Sequence, residues 1–153
     1  MRWLEHRIPP PLVGALLGAM MYGMARVTPA MPFGAGLRIG FTVVFALVGA
    51  AFLLAGAFAF RRARTTVNPL RPEQASALVI AGVYRITRNP MYVGFACLLL
   101  AWAAWLAAPW ALLGPLLFVA WITRFQILPE ERALRAIFGA SFDDYRSRVR
   151  RWL

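Results

Sequence analysis

The chain has 153 residues, 61% of them apolar and only 15% charged, with a net charge of +11. One domain fits that length, and the composition excludes an ordinary soluble domain. The charge does not require nucleic acid, because every basic residue is an arginine and the arginines cluster at the ends of apolar runs, where anionic lipid headgroups account for them.

Leu12 to Ala25, Ile39 to Phe60 and Asn89 to Thr123 carry no charge. A helix needs about 20 apolar residues to cross about 30 Å of hydrocarbon. The third run is too long for one crossing, and Trp105 and Trp110 flank Pro109 near its middle. That pattern predicts a hairpin at a membrane face. The expectation is an all-α integral membrane protein, a single domain over 1–153, with about four transmembrane helices near 9–27, 38–60, 90–106 and 109–127.

The first two spans are rich in Gly and Ala, and Gly14, Gly18, Gly23, Gly49 and Gly56 are small residues of the kind that lets helices approach closely in lipid. Gly14 and Gly18 form a small-xxx-small pair. A cleaved signal peptide is the rival reading of the N-terminus, with Thr28-Pro29-Ala30 as a weak cleavage site. The Pro9-Pro10-Pro11 cluster argues against it.

Arg2 and Arg7 precede the first span. Arg61, Arg62, Arg64, Arg71, Arg85 and Arg88 fall in the loop 61–89, and seven more arginines follow the fourth span. Only Arg26 and Arg38 lie on the other side. The positive-inside rule then puts both termini in the cytoplasm, with the bacterial inner membrane as the expected location. Cys97 is the lone cysteine and there is one histidine, so neither a disulfide within the chain nor a zinc site is expected.

In the loop, Pro69 and Pro72 break any helix, and Ser76 to Val83 is a short apolar piece ending in Gly82, read as a loop on the membrane surface or a turn into the next helix. Thr87 or Asn89 is placed to cap the third span, with Pro90 at its first position. After the fourth span, Pro129-Glu130-Glu131 reads as a helix start and Gly139 as its end. Ser141 with Asp144 suggests a capping box for a last helix. Leu134, Ile137, Phe138, Phe142, Tyr145, Val149 and Trp152 recur at helical spacing among arginines, predicting interfacial amphipathic helices over 129–153.

Two polar clusters therefore come to one membrane face by topology alone: Ser76 to Gly94, and Arg124 to Glu131. An arginine, tyrosines, glycine-exposed backbone and a carboxylate pair suit a zwitterionic cofactor such as S-adenosylmethionine. A carboxylate can pair with its ammonium, and an aromatic face can meet its sulfonium or adenine. Each feature also has a bland explanation. Arginines and tyrosines anchor helices at an interface, and carboxylates favour a helix N-terminus.

The segments LVIAGVYRITRNPMYVG and PEERALRAIFGASFDDYRSRVRRWL, separated by a helical hairpin, resemble the isoprenylcysteine carboxyl methyltransferase family and its phospholipid methyltransferase relatives. The matching positions are Leu78, Val79, Gly82, Tyr84, Arg88, Pro90, Tyr92, Gly94, Glu130, Glu131, Leu134, Phe138, Gly139 and Tyr145. The resemblance implies methyl transfer from S-adenosylmethionine to a lipophilic small molecule or lipid, with no metal and no nucleic acid. Cofactor binding would fall to Ser76, Ala77, Leu78, Val79, Gly82, Tyr84, Asn89, Pro90, Met91, Tyr92, Glu130 and Glu131. The catalytic positions would be Arg88, Asn89, Arg124 and Gln126. Asn89 and Ser76 stand where the family often has histidine. Gln126 stands where the prenylcysteine enzymes have a substrate-side arginine, with Arg124 the nearest replacement. Two rivals are an NADPH-dependent membrane reductase of sterol-reductase type and a non-catalytic small membrane protein or exporter. A proton-coupled exporter would be expected to carry an acid inside a span, and none of the apolar runs has one.

Overall fold

The computed structural model describes residues 4–5, 7–32, 34–63 and 77–153. The expectations placed on Arg2, Arg64, Pro69, Arg71, Pro72 and Ser76 lie outside the described residues. Within them the chain is helical, with no strand. The main helices are α1 (Pro10–Val27), α2 (Ala35–Ala63), α3 (Pro90–Leu106), α4 (Leu113–Ile122), α5 (Leu128–Phe138) and α6 (Ala140–Arg148).

Among the described residues, two helices are long and apolar enough to cross a membrane, α2 and the continuous helical stretch Pro109–Phe138. At 17 residues, α3 is shorter. Leu37, Phe41, Leu47, Leu54 and Phe58 of α2 are all exposed, the surface expected of a helix that meets lipid.

Close approach of α2 and α3 is built on glycine. A Cβ at Gly49 would lie 2.9 Å from the Gly94 carbonyl oxygen, and one at Gly56 would lie 2.7 Å from Met91 Cγ. These are the small-residue contacts that bring backbones together. Gly14 and Gly18 are not. An added Cβ there would meet only side-chain atoms at 3.9–4.0 Å. Gly18 instead leaves its carbonyl open to the Trp102 indole, which donates at 3.0 Å.

The hairpin between α3 and α4 turns at Ala107, whose φ of 49° is left-handed, and resumes in the 3-10 helix Pro109–Leu112. Met31 N–H donates to the Ala107 carbonyl at 2.7 Å, so the α1–α2 link and this hairpin share one end. Arg26 lies over Tyr22 at 6.0 Å and Arg38 over Trp105 at 5.2 Å, as aromatic belts and cations do near an interface.

No new helix starts at Pro129. The helix runs through from α4 to α5 by way of a π turn, Thr123–Ile127, in which Leu128 N–H donates to the Thr123 carbonyl. Proline lacks the N–H for an α bond and its ring crowds the carbonyl four residues back. A one-residue widening just upstream absorbs that conflict and keeps the helix going. The expected capping box is also absent. Gly139 does end α5, with φ 51°, but α6 begins at Ala140 with no side-chain cap.

Candidate active site

The site occupies the end of the bundle opposite the Ala107 hairpin. It is assembled from the starts of α1 and α3, the close of α2, the 3-10 turn Gly82–Arg85, the π turn and α5. Gly82 takes a φ of 62°, a left-handed conformation that glycine adopts without strain. Tyr84 follows, buried, with its ring edge-on to Phe60 of α2 at 5.5 Å between centroids. Burial is the main cause pushing its phenol well above the ordinary range, with Tyr145 and Glu130 adding to it.

Asn89 takes the N-cap position of α3, with Pro90 next, but its side chain does not cap. Asn89 Nδ2 donates instead to the Arg151 carbonyl at 2.9 Å. Thr87, fully buried, accepts the Asn89 N–H at 3.2 Å and donates to that same carbonyl at 3.1 Å. Arg88 Nη1 donates to the carbonyls of Arg146 and Val149, at 3.0 and 2.8 Å. Its Nη2 pairs with Glu131 Oε1 at 2.7 Å. Arg88 and Asn89 therefore bind the non-helical segment 149–152 that follows α6.

The two neighbouring carboxylates divide sharply. Glu131 is held by Arg88 and also by Arg151, whose Nε and Nη2 reach its two oxygens at 2.9 and 2.8 Å. Burial works to raise its pKa, but the hydrogen bonds and charges of the two arginines prevail and hold the carboxyl below the usual range. Glu130 has no arginine among the described residues. The Tyr92 hydroxyl donates to its Oε1 at 2.6 Å. Burial pushes its carboxyl up to about 8; the Tyr92 bond works against that shift, and the Glu131 charge adds to it.

Residues on the other side of the π turn are already engaged. Gln126 is buried and its Nε2 donates to the Ile8 carbonyl at 2.9 Å, pinning the chain ahead of α1. Arg124 pairs with Glu5 at 3.0 Å, its guanidinium 5.3 Å from the Phe125 ring, and Glu5 also bridges to Arg132. Met91 packs against Gly56 of α2. Ala77, Leu78 and Val79 are half-buried and irregular, leading into the Gly82 turn.

Tyr84, Arg88, Asn89, Tyr92, Glu130 and Glu131 thus meet at one end, as the topology of the hairpin predicts. The contributions of Thr87, Thr123, Arg151 and Trp152 were not readable. The first two look like ordinary polar residues at helix ends. Arg151 and Trp152 look like interface anchors, and what they do depends on carbonyls and carboxylates that only folding brings near.

A family model described as phospholipid methyltransferase matches residues 36–141. An uncharacterized protein of Haemophilus influenzae is 43% identical over 63 residues, which are 41% of this chain and the whole of that protein. No solved structure matches. The matched region runs from the start of α2 through the π turn into α6, so it contains both the Tyr92 and Glu130 halves of the site: the chain belongs to the phospholipid methyltransferase family.

Proposed function

We propose that this protein transfers the methyl group of S-adenosylmethionine to a lipophilic or lipid acceptor at the cytoplasmic face of the bacterial inner membrane, through a bundle of four crossings with both termini cytoplasmic. Family membership supplies the reaction class, methyl transfer at a membrane. The observation that carries the cofactor is Glu130, a half-buried carboxyl with a phenol for a partner and no cation among the described residues.

A carboxyl withdrawn from water with no cation beside it tends to hold its proton, and a positive group joining it favours the ionised form. The α-ammonium of S-adenosylmethionine has the charge and donor set to do so. The residues present therefore fit the cofactor, with Glu130 receiving the ammonium and Tyr84 and Phe60 offering aromatic surface nearby. When bound, the cofactor supplies an electrophilic methyl on a sulfonium. Tyr92 holds the Glu130 carboxylate in place. Positioning with exclusion of water is what such a transfer chiefly requires.

In this reading Arg88, Asn89 and Glu131 frame the site, while Gln126 and Arg124 fix the segment before α1. The orientation rests on the arginines. Arg61, Arg62, Arg85, Arg88 and Arg124 lie at the site end, and Arg26 and Arg38 at the other.

Calorimetric titration of detergent-solubilised protein with S-adenosylmethionine and, separately, with NADPH tests the proposal. Saturable binding of the first is expected. Binding of NADPH alone would replace the methyltransferase reading with a reductase.

A further inference from the structure

We infer that the non-helical segment 149–152 is a positioning clasp for the site, in which Arg151 and Trp152 fix the rotation of α5 and so hold Glu130 against Tyr92. Its link to the cofactor rests on the function proposed above.

Adjacent residues on an α-helix point about 100° apart. Glu130 can therefore face the interior only while Glu131 is held to the side. Two guanidiniums hold it there. Arg88 comes from the start of α3 and Arg151 from the clasp, the latter with a bidentate grip on both carboxylate oxygens, which constrains angle as well as distance.

The clasp also reaches the π turn that sets the phase of α5. Trp152 Nε1 donates to Thr123 Oγ1 at 3.1 Å, and the Thr123 carbonyl accepts the Leu128 N–H that closes the widened turn. A third grip is on the residues just ahead of α3. The Arg150 carbonyl accepts the Arg88 N–H at 2.9 Å, and the Arg151 carbonyl accepts from Thr87 and Asn89. That turn lies directly ahead of Tyr92. One short segment therefore ties down both partners of the 2.6 Å Tyr92–Glu130 bond.

A tail that served only to add charge would behave differently from a clasp. Among the described residues, the titratable groups acting on Glu130 are Tyr92 from α3, Tyr84 from the 3-10 turn and Glu131 beside it. If α5 stayed in place, removing Arg151 would leave the Glu131 charge less compensated and drive the Glu130 titration higher. If Arg151 holds the rotation, its removal lets Glu130 swing out to water, and the titration falls toward the ordinary carboxylate range.

The test is a 13C-carboxyl NMR titration of glutamate-labelled protein in detergent, with wild type, Arg151→Ala, Arg151→Lys and Trp152→Phe. The glutamates are Glu5, Glu73, Glu130 and Glu131, so Glu130 is assigned with Glu130→Gln. The expected result is a downward move of the Glu130 midpoint in Arg151→Ala, a smaller one in Trp152→Phe, and recovery toward wild type in Arg151→Lys. An unchanged or higher midpoint in both Arg151→Ala and Trp152→Phe overturns the clasp. Calorimetry on the same samples should show S-adenosylmethionine bound about tenfold more weakly by Arg151→Ala. If wild type does not bind the cofactor at all, the proposed function fails, while the titration still decides the clasp.

Discussion

The Tyr92 hydroxyl donates a 2.6 Å hydrogen bond to Glu130 Oε1, joining the first turn of α3 to the first turn of α5. Thirty-eight residues separate the two, and the hairpin of α3 and α4 closes that distance. The bond favours the ionised carboxylate against burial, and among the described residues no cation joins Tyr92 in doing so.

Glu130→Gln is expected to weaken S-adenosylmethionine binding by roughly 2–5 kcal/mol, the range for removing one partner of a buried charge pair. The same substitution should stabilise the cofactor-free protein at high pH. Burial raises the carboxyl from 4.5 to about 8, so the folded state keeps a proton that the unfolded state has released. From this group stability is greatest below pH 4.5 and is lost progressively as pH rises to about 8. Thermal unfolding of wild type and Glu130→Gln at pH 5 and at pH 8.5 should therefore show the variant gaining relative to wild type at the higher pH.

Cofactor binding should release protons near neutral pH, because an ammonium at Glu130 favours the ionised carboxylate. Affinity is expected to rise between pH 6 and pH 8. Calorimetry in buffers of different ionisation enthalpy measures the release directly. Tyr92→Phe removes the bond that works to lower the Glu130 pKa, so its carboxyl should titrate higher still, with weaker binding at pH 7.

Arg88→Ala should act first on stability. It frees Glu131 from one of its two cations and strips the carbonyls of Arg146 and Val149 of a donor. Breaking a buried pair from one side costs about 3–5 kcal/mol. The expected outcome is a lower melting temperature, with residual cofactor binding in whatever protein remains folded.

Gly94→Ala and Gly14→Ala should differ. A Cβ at Gly94 would sit 2.8 Å from the Gly49 carbonyl oxygen, a backbone atom that cannot move aside, whereas at Gly14 the nearest atom is 3.9 Å away. Overpacking of the first kind costs typically 1–3 kcal/mol. Thermal unfolding in detergent should show a clear loss for Gly94→Ala and little for Gly14→Ala.

Much of the frame was legible before folding. Apolar run lengths, the Trp-Pro-Trp segment and Pro90 mark the helices and the hairpin, since they express constraints local to the chain: proline chemistry, helix length and side-chain hydropathy. The meeting of the Arg88–Tyr92 segment with Glu130 and Glu131 follows from that hairpin as well. Local signals failed where a distant group changed the outcome. Pro129 looked like a helix start, yet a π turn carried the helix past it. Of the glycines that the sequence marks as small-residue contacts, Gly49 and Gly56 do make the close approach to α3, whereas Gly14 and Gly18, which had the small-xxx-small spacing, do not.

The sequence by itself determined that a carboxylate pair would stand beside an Arg-Asn-Pro turn at one end of a helical membrane protein. Which carboxylate is paired with arginines and which meets a phenol was decided only by tertiary structure. Glu130 and Glu131 are chemically identical neighbours, and the phase of one helix, with two arginines brought from 43 and 20 residues away, gives them opposite electrostatic surroundings.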